Sequence, residues 1–313
     1  MSKLNYFVSV DKLRVCLNTP AELYGYLKDH YTRYDRENNH RILDEDDFTF
    51  VFIEEDDQVM RATVDVRDVG EYYRLGTFTF SDSAKYEGKT FFTFENAALY
   101  RIYMRQYNGE PTNHICDLQY ICDFYGMTFN NITEIELALD SNYNYIGKVR
   151  RMIKDVEHYD LILNGRRVSN DENLDGYGEY YCRSRTKLSK LPTLYFSQAK
   201  DTDMKMRIYD KATELNQSSP HKAERIKEWL GWDDISKLYR VEIVMHNTNV
   251  REFMGRYGQK LVGDVGEHCN ILNFLNSEEF RLAMFLDSAE RMIYFKDKRT
   301  GERISLVEVA TGI

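Results

Sequence analysis

The amino-acid sequence predicts an α+β fold with a mainly antiparallel central sheet flanked by helices. Short runs in which Phe, Val and Thr alternate with polar residues, such as residues 48–54 and 73–81, predict half-buried strands. Tight turn sequences such as Glu87-Gly88-Lys89 separate these runs and favour hairpins. Helical segments are mixed among the hairpins without the regular alternation of a doubly wound parallel sheet.

The elements of the N-terminal part follow from these patterns. Residues 4–17 are extended, and Pro20 begins a helix over residues 20–31 with apolar side chains on one face. An acidic stretch rich in Asn, residues 35–47, predicts a loop. Strands follow over residues 48–54, 59–67, 73–81 and 90–94, and helices over residues 95–106 and 116–126.

The remainder of the chain mixes strands and helices. Strands are predicted over residues 132–140, 159–164, 177–184, 193–198, 204–211 and 238–246. Helices are predicted over residues 144–155, 212–216, 221–231, 250–258, 270–275 and 278–290. A loop rich in Gly, Asp and Asn covers residues 165–176. Residues 291–296 and 304–309 predict a closing hairpin joined at Thr300-Gly301.

Composition narrows the class of protein. The chain of 313 residues is 42% hydrophobic and 30% charged, so it can bury a sizeable core. No apolar run approaches the roughly 18 residues that cross a bilayer, and the N-terminus lacks the apolar segment of a signal peptide. The five cysteines are dispersed without a C-x-x-C pair, which is typical of reduced thiols. We therefore expect a cytoplasmic protein that does not bind a membrane.

Charge is distributed unevenly along the chain. The net charge is −9, yet residues 176–211 hold eight basic and four acidic residues, a local balance of +4 that leaves −13 for the rest. A basic segment on an acidic protein suits local binding of a phosphate backbone better than tight non-specific binding of nucleic acid. Chance clustering of charges in a solvated hairpin is the alternative.

The most informative part of the basic segment is the run from Met204 to Lys211. Because successive strand residues point to opposite faces, Tyr209 is predicted to share one face with three cations: Lys205, Arg207 and Lys211. A phenol held among cations can act as a nucleophile toward a phosphodiester, since the cations favour the phenolate and attract the anionic substrate. The alternative is a tyrosine on a mixed sheet face between solvated Lys and Arg side chains.

Two other predicted strands carry carboxylates opposite an apolar face. Asp140 ends one of them, and Glu242 lies in the middle of the other. Carboxylates on central strands are costly to bury unless they are paired or bind a metal, and a set of mostly oxygen ligands suits Mg²⁺ or Mn²⁺. We predict Asp140 and Glu242 as metal ligands, with Glu136 or His246 as a third. The alternative is a sheet with one solvated face, on which these residues have no function.

Several common catalytic motifs are missing from the sequence. It has no G-x-x-x-x-G-K-[ST] loop of a P-loop ATPase, no G-x-S-x-G of a serine hydrolase and no H-E-x-x-H of a zinc protease. The His-hydrophobic-His metal motif of many tyrosine endonucleases is also absent. The tyrosine and the carboxylates are therefore the main catalytic candidates.

Four short motifs occur in order across the central third of the chain. They are I-E-L-A-L-D (135–140), Y-F-S-Q (195–198), M-R-I-Y-D-K (206–211) and Y-R-V-E-I-V-M (239–245). Together they resemble the replication-initiator family of rolling-circle plasmids, which includes relaxase-like proteins of conjugative transposons and filamentous phages. The resemblance implies the sheet architecture of the His-hydrophobic-His endonucleases, with acidic metal ligands in place of the two histidines. The net acidity departs from the basic character expected of a plasmid initiator.

The resemblance also implies roles for individual residues. By position in the motifs, Tyr209 matches the family's nucleophile, with Arg207 and Lys211 beside it. Asp140 and Glu242 match the acidic positions associated with the metal. The implied activity is metal-dependent, site-specific nicking and religation of DNA through a covalent 5′-phosphotyrosine, which releases a 3′-hydroxyl. The substrate is single-stranded or hairpin origin DNA, and the implied partners are a host helicase and a second copy of the chain in a homodimer.

The sequence also predicts a division of the chain and leaves two other functions open. We expect an N-terminal α+β region in residues 1–130, a catalytic nickase core in residues 131–250 and a mainly helical C-terminal region in residues 251–313. A catalytically inactive DNA-binding regulatory protein of the same fold is one alternative. A hydrolytic metal-dependent nuclease in which Tyr209 only packs is the other. A Tyr209 hydroxyl more than about 10 Å from both metal ligands would count against the nickase.

Overall fold

The computed structural model describes most of the chain. The described residues are 5–56, 58–68, 71–101, 106–107, 110–111, 114–168, 180–181, 193–197, 204–218, 220–262 and 271–311. Most of the predicted strand 177–184 and residues 169–176 of the predicted loop 165–176 lie outside these residues, as do residues 102–105 of the predicted helix 95–106. The last residue of that predicted helix, Gln106, belongs to a strand.

Strands make up the larger share of the described elements. In chain order they are β1 (Tyr6–Asn18), β2 (Arg33–Asp35), β3 (His40–Asp44), β4 (Phe48–Glu55), β5 (Val59–Asp68), β6 (Glu71–Ser81), β7 (Lys89–Phe94), β8 (Gln106–Tyr107), β9 (Glu110–Pro111), β10 (Thr128–Ser141), β11 (Tyr159–Leu163), β12 (Arg166–Arg167), β13 (Tyr180–Tyr181), β14 (Thr193–Ser197), β15 (Met204–Asp210), β16 (Tyr239–His246), β17 (Ile293–Asp297) and β18 (Arg303–Ser305). Every strand pair whose register is described is antiparallel. The predicted α+β fold with a mainly antiparallel sheet is therefore confirmed.

Helices connect many of these strands. In chain order they are α1 (Leu23–Asp29), α2 (Asn96–Arg101), α3 (His114–Phe124), α4 (Tyr145–Lys154), α5 (Lys211–Ser218), α6 (Pro220–Leu230), α7 (Asn247–Val262), α8 (Ile271–Phe274), α9 (Glu278–Met292) and α10 (Leu306–Thr311). Within the part of the chain that the structure describes, none of the helices has the length and apolar character needed to span a membrane.

The chain divides into two compact units. The first unit contains Met1–Val10, Glu136–Val265 and Ser277–Ile313, and the second contains Asp11–Ile135 and Gly266–Asn276. We describe each unit by itself.

The second unit is built on a meander of antiparallel strands in the order β1-β7-β6-β5-β4-β3-β2. Because alternate residues of a strand face the same side, β4, β6 and β7 contribute rings to one buried face. The fully buried rings are those of Phe48, Phe50, Phe52, Phe78, Phe80 and Phe92. The ring centroids of Phe78 and Phe92 lie 4.5 Å apart, so this core consists largely of aromatic pairs.

Strands β6 and β7 approach each other closely at Gly76, which pairs with Phe94. A Cβ atom at this position would lie 2.3 Å from the carbonyl oxygen of Thr93 and 2.5 Å from Cζ of Phe92. Glycine is therefore required here because a side chain has no room, although its backbone is ordinary extended strand.

The first unit contains two sheets. One has the strand order β13-β14-β15-β16-β10, and the other has the order β12-β11-β17-β18. The apolar side chains of β15 and β16, such as Met206 and Ile243, are buried on one face of the first sheet. Helix α9 packs against this face, since the hydroxyl of Ser288 donates to Sδ of Met245 at 2.9 Å. The opposite face carries the polar residues.

The predicted loop 35–47 differs from the structure. It contains the last residue of β2 and all of β3, which pair in a tight hairpin. Asp35 forms the turn because its Oδ1 accepts hydrogen bonds from the backbone amides of Glu37 and Asn38. This turn spans residues 36–39, and the acidic residues 44–47 lie at the end of β3 and in the turn that follows it, so the composition is that of two short turns and not of a long loop.

The predicted strand 304–309 is also wrong over most of its length. Strand β18 ends at Ser305, and α10 begins at the next residue. The backbone amide of Ser305 donates to Glu308 at 2.6 Å, and the amide of Glu308 donates to Oγ of Ser305 at 3.1 Å. This reciprocal capping box starts a helix and outweighs the alternating apolar pattern.

Candidate functional site

The polar face of the first unit's larger sheet is set by the register of β15 and β16. Arg207 lies opposite Glu242, and Tyr209 lies opposite Arg240. Residues directly opposite in an antiparallel pair project to the same face, so these four side chains lie together. The burial pattern of β15 agrees, because Met204, Met206 and Ile208 are buried while the alternate residues are exposed or half-buried.

Tyr209 is held by a carboxylate of the neighbouring strand. Its hydroxyl donates to Oε1 of Glu242 at 2.6 Å. The guanidinium carbon of Arg207 lies 6.0 Å from the centroid of the Tyr209 ring, and Nζ of Lys211 lies 5.6 Å from it. The phenol therefore lies close to two cations and one buried carboxylate. The distance from its hydroxyl to Glu242 is far shorter than the roughly 10 Å that would count against the nickase.

Arg207 connects two carboxylates from different strands. Its Nη2 donates to Oε1 of Glu136 in β10 at 2.7 Å, and its Nε donates to Oε2 of Glu242. The Arg207 side chain is 44% exposed, whereas that of Glu242 is 1% exposed. Part of the Arg207 side chain is therefore exposed to solvent, while its carboxylate partners are mostly shielded.

Asp140 and Arg240 form a buried, bidentate ion pair. Nε and Nη2 of Arg240 donate to the two oxygens of Asp140, each at 2.7 Å. The Arg240 side chain is 1% exposed, and its Nη1 lies 3.5 Å from Oε1 of Glu242. Two parallel charge-assisted hydrogen bonds fix the guanidinium plane, so Arg240 holds Asp140 and Glu242 in a defined arrangement.

We call Glu136, Asp140, Arg207, Arg240 and Glu242 the ion-pair network. Burying charges costs several kcal/mol of desolvation per ion, and the cost is offset only where every charge has a good partner. Here three carboxylates face two guanidinium groups, which leaves one negative charge for a further cation. The net negative charge of the network favours the binding of a further cation near Tyr209.

Glu136 and Glu242 fit a divalent cation better than the other predicted ligands do. Each offers a carboxylate oxygen within 4.8 Å of the other, a separation that a single ion can bridge. Asp140 does not belong to this group of neighbouring carboxylates, and both of its oxygens accept hydrogen bonds from the buried Arg240. His246 lies four residues beyond Glu242 on β16, about 13 Å along the strand at the usual rise per residue, so its ring does not reach the carboxylates.

Lys211 belongs to a helix, although the sequence placed it on the strand. Strand β15 ends at Asp210, whose Oδ1 accepts from the amide of Thr213 at 2.9 Å and so caps α5. The ammonium group of Lys211 lies 2.7 Å from Glu214 in the same helix. It approaches the Tyr209 ring from the first turn of this helix and not from the sheet face.

Arg240 is a residue of the site that the sequence patterns did not predict. The signal for it was the need for a buried cation, because two carboxylates predicted on central strands require compensation by a metal or by a basic side chain.

The comparisons with known proteins give a remote likeness among solved structures. No protein-family profile matches the chain, and no curated protein sequence matches it. Among solved structures, the chain is similar to the rolling circle replication initiator protein from Geobacillus stearothermophilus. The two chains are 13% identical, and the match covers 91% of this chain and 97% of that chain with a TM-score of 0.39.

Proposed function

We propose that this protein nicks and rejoins single-stranded DNA through a covalent bond between Tyr209 and a 5′-phosphate, as rolling-circle initiators and relaxases do. The observation that carries the proposal is the 2.6 Å hydrogen bond from the Tyr209 hydroxyl to Glu242. If Tyr209 is the nucleophile, this hydrogen bond supports the proposal, because a carboxylate that can take the phenolic proton lies beside the attacking oxygen and Arg207 lies next to both. The four ordered motifs of the sequence support the same activity.

The exposed side of the site suits a phosphate group. Arg207 is partly open to solvent, and Lys205 on the same face of β15 is exposed. Both cations attract a phosphodiester and can donate hydrogen bonds to its oxygens. Arg207 can therefore orient the scissile phosphate over Tyr209 while its other edge stays on Glu136.

The chemical step is a transesterification. The Tyr209 oxygen attacks phosphorus, a bond forms between them, and the bond from phosphorus to the 3′-oxygen breaks. The phenolic proton passes to Oε1 of Glu242, and the leaving 3′-oxygen takes up a proton from solvent. The reverse attack by the 3′-hydroxyl restores the strand, so religation needs no nucleotide cofactor.

The ion proposed for this site is Mg²⁺ or Mn²⁺. Glu136 and Glu242 would hold it, and when bound it would polarise the scissile phosphate and offset the charge that develops in the transition state. Asp140 would act indirectly by fixing Arg240, which in turn positions Glu242. Binding of a host helicase and formation of a homodimer remain predictions.

A catalytically inactive DNA-binding protein is the second candidate. It is favoured by the pairing of every network carboxylate with a guanidinium, an arrangement in which the fold needs no metal for its stability. Such a protein would bind single-stranded DNA through the same cations and leave the strand intact.

Covalent trapping tests the first candidate. The full chain is incubated with Mn²⁺ and a pool of random single-stranded DNA labelled at the 3′ end, and the denatured protein is separated by electrophoresis. We expect a labelled protein band whose digest carries the phosphate on the peptide that contains Tyr209. Tyr209→Phe should abolish the band because it removes only the attacking oxygen.

Tyr195 provides a matched control. It lies opposite Arg207 on β14, one strand away from Tyr209, and Tyr195→Phe should still give the labelled band. Equal labelling of the Tyr209→Phe variant would exclude Tyr209 as the nucleophile. Cleaved DNA without any protein adduct would indicate hydrolysis, and binding without cleavage under any divalent ion would indicate the second candidate.

A further inference from the structure

The second unit exposes a cluster of aromatic rings that the proposed chemistry does not use. Phe124 and Tyr120 in α3 are 52% and 47% exposed, and Tyr26 in α1 is exposed as well. Phe48 and Tyr125 lie beneath and between these rings. We call these five residues the aromatic patch.

The rings of the aromatic patch form one connected set. The ring centroid of Phe48 lies 5.5 Å from that of Phe124 and 6.2 Å from that of Tyr120. Tyr125 lies 4.9 Å from Phe124 and 6.4 Å from Tyr26. Because buried rings support the exposed ones, the exposed rings have fixed positions and can bind a partner with little loss of side-chain entropy.

Three consecutive acidic residues, Glu45, Asp46 and Asp47, lie beside the aromatic patch. The hydroxyl of Tyr120 donates to Asp47 at 3.0 Å, and that of Tyr125 donates to Glu45 at 3.2 Å. Asp46 lies between these two acidic residues in the chain and is exposed. The hydrogen bond to Asp47 is also the main reason that the pKa of Tyr120 is raised, and Asp46 and Glu45 add to the effect.

We propose that the aromatic patch is a docking surface for a basic segment of another protein, one that combines Lys or Arg with apolar side chains. Cationic side chains can stack on the exposed rings and pair with the carboxylates, while apolar ones cover the rest. The same carboxylates repel a phosphate backbone, which disfavours nucleic acid here. They would also repel the identical acidic surface of a second copy of this chain.

This surface lies wholly within the second unit and does not depend on the proposed nicking activity. Large exposed aromatic groups rimmed by polar residues are a mark of protein–protein contact, and aromatic anchors contribute much of the affinity in such interfaces. We propose a basic partner because Glu45, Asp46 and Asp47 give this surface negative charge.

Selection from a displayed library of random peptides, each of about 12 residues, tests the inference on the full chain. Peptides are kept if they bind the wild-type protein and are lost on a Phe124→Ser variant, and their dissociation constants are measured by fluorescence anisotropy. We expect the retained peptides to be rich in Lys or Arg together with apolar residues. Binding should weaken at least about tenfold in Phe124→Ser and about tenfold in an Asp46→Lys/Asp47→Lys variant.

Tyr72→Ser is the matched control, since Tyr72 is an exposed tyrosine on β6 outside the aromatic patch, and it should leave affinity unchanged. The charge-reversal variant alters only surface carboxylates, so it tests the inference even if Phe124→Ser folds poorly. Retained peptides without excess positive charge would overturn the proposal, as would the absence of any peptide that discriminates the variants. Binding of oligo(dT) that is lost in the same variants would assign the surface to nucleic acid. A dimer in sedimentation that dissociates in Phe124→Ser would assign it to self-association.

Discussion

The two units bury different kinds of side chain in their sheets. In the second unit the buried face is a set of phenylalanine rings, whereas the polar face of the larger sheet in the first unit buries Asp140, Arg240 and Glu242. Burial of an aromatic side chain stabilises a fold by roughly 1.5–3 kcal/mol. A buried ion pair often contributes nothing net compared with apolar residues of the same volume. The phenylalanine face is thus explained by stability, while the ion-pair network requires another reason, which the proposed chemistry supplies.

The largest expected effect comes from removing one member of the buried ion pair and leaving the other. Arg240→Met leaves Asp140 buried without a partner, so the free energy of unfolding should fall by about 3–5 kcal/mol. The double variant Asp140→Val/Arg240→Met removes both charges and should recover most of that loss. Urea denaturation measures both values, and a single variant that costs less than about 1 kcal/mol would show that the pair is not effectively buried.

The stability of the second unit should be most sensitive to a side chain added between two of its strands. Gly76→Ala forces a Cβ atom against the backbone of β7, and overpacking of this kind costs about 1–3 kcal/mol. Gly25→Ala is the control, because no atom lies within 4 Å of the added Cβ in α1 and alanine favours a helix. The control should be neutral or slightly stabilising; equal destabilisation of both variants would contradict the close approach of β6 and β7.

A smaller effect is expected from alkaline pH. Burial raises the pKa of the Cys122 thiol to about 12 from an ordinary value of 9.0. The unfolded chain therefore loses this proton first, so the stabilisation is complete below pH 9 and is lost as the pH rises toward 12. Between pH 9 and pH 10, the wild type should lose about 1 kcal/mol more unfolding free energy than Cys122→Ala. Parallel curves for the two proteins would show that the thiol is not desolvated.

The smallest effect concerns the end of the first unit. Ser305→Ala removes the acceptor that begins α10, and loss of such a cap costs about 0.5–1 kcal/mol. Ser305→Thr keeps a hydroxyl acceptor and should retain most of the stability. Thermal denaturation distinguishes the two, and an unchanged midpoint in Ser305→Ala would mean that the capping box does not contribute.

The comparison of the two units also shows what the sequence could predict. Strands such as β4 and β6 were predictable because one buried and one exposed face produce strict alternation of Phe with polar residues. The positions of Lys205 and Arg207 on the same face as Tyr209 were predictable from the alternation of a strand as well. The use of Arg240 as the partner of Asp140 was not, since the pairing of strands 100 residues apart leaves no local signal.

Local competition explains the remaining errors. Residues 304–309 alternate well enough to predict a strand, but the short-range capping box at Ser305 and Glu308 begins a helix. Lys211 follows the strand pattern, but Asp210 caps a helix and moves it off the sheet. In both cases the side-chain hydrogen bonds that cap a helix outweigh a hydrophobic pattern that is typical of a strand. The S-x-x-E pattern of Ser305 and Glu308 is a helix signal that the sequence contains.

The separation of the network's members along the chain has a consequence during synthesis. Tyr209 precedes Glu242 by 33 residues, and Glu136 precedes its partner Arg207 by 71 residues. A nascent chain therefore holds these side chains before their partners have been made. The arrangement of side chains around Tyr209 cannot form in a chain that stops before β16.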